Sequence, residues 1–474
     1  LTRARRKKRY WNPPAYRTES KARRDAWLFE MLPVIRRVVN QKGKKVLVHD
    51  DSPDVLAFVN ARDSRRISQA GPATPDHMLR TKRLPLYLDL PGRDLNRLNP
   101  QGIVRQIESY AQAHERYFKN YRSLLGRAGF IQMLDPYPKV ILVPGVGMIT
   151  IGGNVHQANV VAEIYKHSIS VMTQASVIDT YASLSERLAF EIEYWPLELY
   201  KLSLAPPEAE CSGYVGLVTG AARGIGRAIS EKLISLGAHV FLADLDFKAV
   251  CAQAEAINQK LKTGHATAVR MDVTKAESVG AGFQQLVLET GGLDFVVSNA
   301  GMAHVSSVEK MKLDDWQRSF AVNATGHFLV AREAVRLLKR QGTGGSLVFI
   351  ASKNVLAPGK DFGAYSAAKA AEAQLARILA IENGEYGIRA NIVNPDGVFE
   401  DSGLWEHIGG DRAKSYGISR HRLEDYYRNR NLLKTRVFPQ DVAESVAFLI
   451  STKSAKTTGC ILTVDGGIKE AFPR

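Results

Sequence analysis

Three residues between positions 346 and 370 have types and spacing suited to moving a proton. Tyr365 and Lys369 are four apart in a stretch with helical periodicity, so both face one side. Ser352 lies thirteen residues before Tyr365, just past an apolar strand pattern at Ser346 to Ile350. A free phenol titrates near pH ~10. Tyr365 therefore needs a nearby cation before it can act as a base near neutrality. Lys369 can supply that charge, and Ser352 can donate a hydrogen bond to a substrate oxygen. A helix that merely exposes a tyrosine and a lysine would explain the pair alone. It does not explain a second motif upstream in the same array.

That motif is Thr219-Gly220-Ala221-Ala222-Arg223-Gly224-Ile225-Gly226, placed after an apolar strand (Tyr214 to Val218) and before a helix (Arg227 to Leu236). Glycines there allow a tight turn, close approach of a pyrophosphate and packing of helix on strand. The helix start offers free N–H groups and partial positive charge to the phosphates. The next strand, Ala238 to Ala243, ends at Asp244, 18 residues past Gly226. An acidic side chain at that point can bind both ribose hydroxyls and repels a 2′-phosphate. The expectation is NAD rather than NADP, although Arg223 pulls mildly the other way.

From Gly213 to the end, short apolar strands alternate with helices of ten to fifteen residues, the pattern of βαβ units and a parallel sheet. Residues 203–213 carry two prolines and no periodicity, so a boundary is placed there. The domain expectation is 1–44 a basic lead-in, 45–205 a mixed α/β region, 206–212 a linker and 213–474 the nucleotide-binding unit. In the first half, Ala26 to Val39 reads as an amphipathic helix and Lys45 to His49 as a strand. Thr74-Pro75 reads as a capped helix start, and Leu84 to Leu90 as an alternating strand. Pro100 to Leu125 and His156 to Leu184 read as helices, with two strands between them around Pro144-Gly145.

With these residues in place, segment 213–474 resembles the short-chain dehydrogenase/reductase family over its whole length. The resemblance implies an α/β fold with a Rossmann-type doubly wound parallel sheet. It makes TGAARGIG the cofactor loop, Asp272 and Val273 the adenine-contacting pair, and Asn299-Ala300-Gly301 the motif that braces the sheet beside the cofactor. It makes Asn323, Ser352, Tyr365 and Lys369 the catalytic tetrad, with Asn323 holding a water in the proton relay. Pro395 and Val398 fall where the chain covers the nicotinamide. Asn394-Pro395-Asp396-Gly397-Val398 departs from the family's usual Pro-Gly, and the added Asp396 puts the role of Val398 in question. A homo-oligomer is expected by resemblance, and loop residues such as His304, Asn354, Trp405 and the segment Phe399 to Arg420 are expected to line the substrate pocket.

The first half carries a second resemblance. GPATPDHMLRTKRLPL, LVPGVGMITIGG and AFEIEYWPLELYKLSLAP are similar to the middle of a fused bacterial family that joins a class II, zinc-dependent rhamnulose-1-phosphate aldolase to a short-chain dehydrogenase. That resemblance implies a smaller aldolase-like α/β region before the Rossmann unit, and lactaldehyde oxidation in rhamnose catabolism. The aldolase's zinc motifs, a His-x-His pair and a later His-His-Gly, are absent from this sequence and would precede Leu1. Val146 stands where related sheets carry a histidine. No metal ligands and no aldolase activity are assigned to this chain; residues 45–205 are expected to brace the dehydrogenase or to complete an aldolase lobe. The start at Leu1 rather than methionine agrees with a longer parent chain. His49 and His77 are expected to be structural.

Bulk composition fits this outline. The 474 residues suggest two or three domains, and no apolar run approaches the ~18–20 residues of a membrane helix. Three widely spaced cysteines (Cys211, Cys251 and Cys460) make no disulfide framework and favour a reducing, cytoplasmic setting. Residues 1–45 hold fifteen Lys/Arg against three Asp/Glu, so +12 of the net +16 lies there. Tyr10, Trp11 and Tyr16 interleave with that charge, but no recognition motif accompanies them. Nucleic acid is not the expected partner; a small molecule is.

Overall fold

The computed structural model describes residues 14–128, 131–204 and 207–472. The basic run before Pro14, with Tyr10 and Trp11, lies outside the described residues. The chain divides into two compact units, Leu1–Glu208 with Val287–Gly292, and Ala209–Leu286 with Leu293–Arg474.

In the first unit a four-stranded mixed sheet runs in the order β1 (Val46–Asp50), β4 (Gly147–Gly152), β3 (Val140–Val143), β2 (Leu86–Tyr87). β4 is antiparallel to both β1 and β3, while β2 pairs parallel to β3. Every residue of β3 and β4 is buried. Val161, Tyr165 and Ile169 of the helix Val155–Ile178 pack onto Val140, Leu142 and Met148. Asn154 starts that helix by accepting the Gln157 N–H at 2.8 Å. Asn99 does the same for Pro100–Tyr121 through Gly102, with proline at the first turn.

Three sequence expectations for this unit change. The alternation at Leu84 to Leu90 yields a strand of only two residues, set at the sheet edge between Pro85 and Pro91. Thr74 makes no side-chain cap, and a 3-10 turn (Pro75–His77) leads into the short helix Met78–Thr81. The helix expected to reach Leu184 ends at Ile178, where Asp179 is already extended. His49 Nε2 lies 3.1 Å from the Val146 carbonyl and His77 Nδ1 lies 3.1 Å from Ser168 Oγ. Among the described residues no group of three or more His, Cys, Asp or Glu side chains is arranged to hold a metal ion.

The second unit is a seven-stranded sheet in the order β11-β10-β9-β8-β5-β6-β7, every pair parallel. The strands are β5 (Val215–Thr219), β6 (His239–Asp244), β7 (Ala266–Arg270), β8 (Phe295–Ser298), β9 (Gly345–Ile350), β10 (Ile388–Pro395) and β11 (Ile461–Val464). β5 and β8 are buried throughout, as strands covered by helices on both faces must be. Strand order reverses between β5 and β8, and ligands of such sheets bind in the crevice at that reversal. Cys211, expected in a linker, is fully buried within this unit's core beside Leu233 and Ala238, and burial pushes its thiol up to about 11. Among the described residues no helix is long and apolar enough to cross a membrane.

Candidate functional site

The site begins where β5 stops. Gly220 (φ +64°) and Gly224 (φ +55°) turn the chain through the left-handed region, and the helix Gly224–Ser235 starts on the loop's last glycines. A Cβ on Gly226 would lie 2.2 Å from the Gly220 carbonyl oxygen and 2.7 Å from Asn299 Nδ2, so only glycine fits. Asn299 ties the loop to β8. Its Nδ2 donates to the carbonyls of Thr219 (2.9 Å) and Gly220 (3.1 Å), and its backbone N–H and that of Ala300 donate to Thr219 Oγ1.

Above the loop is a cavity of about 610 Å³. Gly220, Arg223, Gly224 and Ile225 form one wall, and Asp244, Asp272 and Val273 line it further along. Ala300 and Gly301 line it beside Asn299. Ser352, Tyr365 and Lys369 stand at the other end, with Pro395 and Val398. Gly226 and Asn323 do not line the cavity: Gly226 packs beneath the loop and Asn323 is fully buried behind it. A glycine cradle with a carboxylate at the next strand end suits the pyrophosphate and ribose of a dinucleotide.

Each polar side chain has an identifiable anchor. The Asp244 carboxylate accepts the Ala222 N–H (3.1 Å) and the Asp246 N–H (3.1 Å). The Asp272 carboxylate accepts from the Thr274 backbone and hydroxyl, and that hydroxyl bond holds its carboxyl below the usual range. Asn323 sits on a wide helical turn, Ala321–Gly326; its Nδ2 donates to the Met302 carbonyl at 2.8 Å and its Oδ1 accepts the Met302 N–H at 3.1 Å. Arg223 is exposed and pairs with Glu406 at 2.9 Å.

Tyr365 and Lys369 belong to the helix Gly363–Asn383 and are both buried. Lys369 Nζ donates to the Ile350 carbonyl at 2.8 Å and lies 5.9 Å from the Tyr365 ring centre. Burial pushes the Tyr365 phenol above its ordinary value; the Lys369 ammonium and a hydrogen bond with Ser352 pull it back. Aromatic rings cluster with Tyr365: Trp405 and Tyr427 line the cavity and meet edge-on at 5.0 Å, while Phe399, which does not line it, stacks on Trp405 at 4.3 Å. Asn354, Trp405 and His407 line the cavity, whereas His304 does not and faces Asp315 at 3.6 Å instead. Asp396 is buried in an ion pair with Arg430, and its backbone N–H donates to the Val464 carbonyl at 3.2 Å, so the departure from Pro-Gly continues the β10–β11 ladder.

Two interactions at the site escaped the sequence analysis. Glu372, one turn past Lys369, has a fully buried carboxylate 2.8 Å from Lys369 Nζ and 3.4 Å from His327 Nδ1. Burial raises its carboxyl to about 7 against the pull of Lys369. The i, i+3 spacing from Lys369 was the available signal. Asp401 accepts the Gly224 N–H at 2.9 Å and pairs with Arg227 at 3.1 Å, so a carboxylate caps the helix start that faces the cavity. No local spacing signals a pairing across 177 residues.

Comparison with known proteins agrees with this geometry. Residues 220–469 match the family model described as enoyl-(acyl carrier protein) reductase, and residues 26–202 match the one described as aldolase class II, second domain. The chain is 43% identical over 447 residues to the uncharacterized oxidoreductase YuxG of Bacillus subtilis, covering 94% of this chain but 64% of that protein's length. A short-chain dehydrogenase/reductase of Armillaria gallica is 33% identical, covering 54% of this chain and 96% of its own. The crystal structure of sorbitol-6-phosphate 2-dehydrogenase from Erwinia amylovora superposes with a TM-score of 0.51 at 31% identity, over 53% of this chain and 98% of that one. The chain belongs to the short-chain dehydrogenase/reductase family of oxidoreductases, with a class II aldolase-type domain ahead of its Rossmann unit.

Proposed function

We propose that the second unit is an NAD-dependent dehydrogenase that oxidises a small hydroxyaldehyde or alcohol, with lactaldehyde from rhamnose catabolism as the substrate. The observation that carries this reading is the cavity that joins Asp244 and the glycine loop at one end to Ser352, Tyr365 and Lys369 at the other. Bound there, NAD would accept the hydride. Gly220, Gly224 and Ile225 would hold its pyrophosphate, Asp244 its adenosine ribose, and Asp272 and Val273 its adenine. Ser352 donates a hydrogen bond to the substrate oxygen. Tyr365 takes the hydroxyl proton, and the Lys369 ammonium steadies the phenolate. Asn323 and its water would pass the proton outward from Lys369. An aldehyde enters this scheme as its hydrate, whose CH–OH then reacts like an alcohol.

The experiment is NAD and NADP reduction with lactaldehyde, followed by a panel of polyols and hydroxy acids. Lactaldehyde-dependent reduction of NAD supports the reading. Reduction with another alcohol alone would keep the chemistry and reject the substrate. The reading also includes a homo-oligomer in the cytoplasm, and exposed Ile381 and Phe448 are apolar surface that an interface could cover.

A second reading is favoured by the aldolase-type match at 26–202 and by the 64% coverage of the Bacillus subtilis relative. A longer parent protein would also cleave rhamnulose-1-phosphate with zinc held outside this sequence. Metal analysis of the longer parent tests this second reading, because the parent should hold zinc whereas this chain by itself is expected to bind no stoichiometric zinc.

A further inference from the structure

Ser352, two residues past the end of β9, sits in a small hydrogen-bonded loop whose geometry decides what its hydroxyl can do. The backbone N–H of Asn354 points at Ser352 Oγ at 3.2 Å, and Asn354 Nδ2 points at the same oxygen at 2.9 Å. A hydroxyl has two acceptor positions and one proton to give. Asn354 fills both acceptor positions. The orientation of the Asn354 amide is set by its other end, because Oδ1 accepts the Gly359 N–H at 2.9 Å. Reversing the amide would set an NH2 against an N–H, so Nδ2 must face Ser352. Gly359 itself is hemmed in: a Cβ there would meet the Arg412 guanidinium at 2.5 Å and Asn354 Oδ1 at 3.3 Å. Arg412 is buried and bonds to the Lys360 carbonyl and to the hydroxyls of Tyr416 and Tyr427, which holds the 354–361 turn in place. Ser352 and Asn354 are both buried and both line the cavity.

We propose that Asn354 is a positioning residue that makes Ser352 a donor only, so that the substrate hydroxyl has one acceptor for its proton, Tyr365. Before substrate enters, the Ser352 proton is given to the Tyr365 oxygen; with substrate present it turns to the substrate oxygen. An unconstrained serine could instead accept the substrate proton and leave the alcohol pointing away from the base. The inference rests on the dehydrogenase reading of the same cavity.

The test compares Asn354→Ala with Asn354→Asp. Aspartate keeps the shape, but its ionised carboxylate only accepts. It would draw the Ser352 proton toward itself and reverse the arrangement. A role in packing alone makes alanine the worse variant; a role in proton direction makes aspartate the worse one. The rates are compared on the alkaline plateau of the pH profile, where a carboxylate's effect on the Tyr365 titration no longer counts. The expected loss of kcat is roughly tenfold for Asn354→Ala and on the order of a hundredfold for Asn354→Asp. KM and NADH affinity should hold near the wild-type values in both. Alanine equal to or worse than aspartate on that plateau overturns the proposal, as does a loss confined to KM. A wild-type chain that binds NADH but oxidises no alcohol would instead reject the dehydrogenase reading beneath it.

Discussion

Lys369 Nζ stands 2.8 Å from the Glu372 carboxylate, and neither side chain is more than 3% exposed. The Glu372 carboxyl is thus buried directly against the lysine one turn past Tyr365. Burial lifts the Glu372 carboxyl from an ordinary 4.5 to about 7. Between those values the folded chain keeps a proton that the unfolded chain has lost. Stability from this group therefore falls as pH rises from about 4.5 through about 7. Glu372→Gln removes that dependence. Unfolding free energies measured across this range should shift steadily in the variant's favour relative to wild type as pH rises. A constant difference would mean the carboxyl titrates normally.

Gly226→Ala should abolish tight NADH binding. The new methyl would stand 2.2 Å from the Gly220 oxygen, and overpacking of this kind costs about 1–3 kcal/mol. Gly264→Ala is the control, since a Cβ there meets nothing within 4 Å. Fluorescence titration with NADH should show loss for the first and none for the second.

Asp244→Ser should admit NADP. The carboxylate lines the cavity at the end of β6, where it would oppose a 2′-phosphate. The ratio of kcat/KM for NAD over NADP should fall by at least about tenfold. An unchanged ratio would place cofactor choice elsewhere, with Arg223 as the next residue to substitute.

Asp401→Ala should tighten NADH binding roughly threefold at low salt, because it removes an anion from the helix start that the pyrophosphate would face. Its bond to the Gly224 N–H is the contact to be displaced. Equal or weaker affinity would show that the carboxylate does not compete with the cofactor.

The parallel sheet was legible because its central strands are covered on both faces and so read as unbroken apolar runs, β5 and β8 most plainly. The grouping of Ser352, Tyr365 and Lys369 was legible for a related reason: Tyr365 and Lys369 share one helix face, and Ser352 follows a strand end, whereas Asn323 came from the family resemblance alone. Much of what stayed hidden depends on contacts remote in sequence. Asp401 meets Gly224 and Asp396 meets Arg430 through folded geometry that no periodicity encodes. Asn354 was flagged only as a pocket residue; its grip on Ser352 depends on the Gly359 N–H fixing the amide. Leu84 to Leu90 misled because alternation reports two faces, not a pairing partner: only Leu86 and Tyr87 pair in register with β3, and Leu88 adds a single N–H bond to the Leu142 carbonyl.

In the proposed mechanism Tyr365 carries the proton transfer in a dinucleotide site. The most direct measurement is Tyr365→Phe, followed for NADH binding and for alcohol-dependent NAD reduction in parallel. NADH affinity should stay within about twofold of wild type, and turnover should fall by at least about a thousandfold. Turnover near the wild-type rate in a variant that still binds NADH would contradict the mechanism.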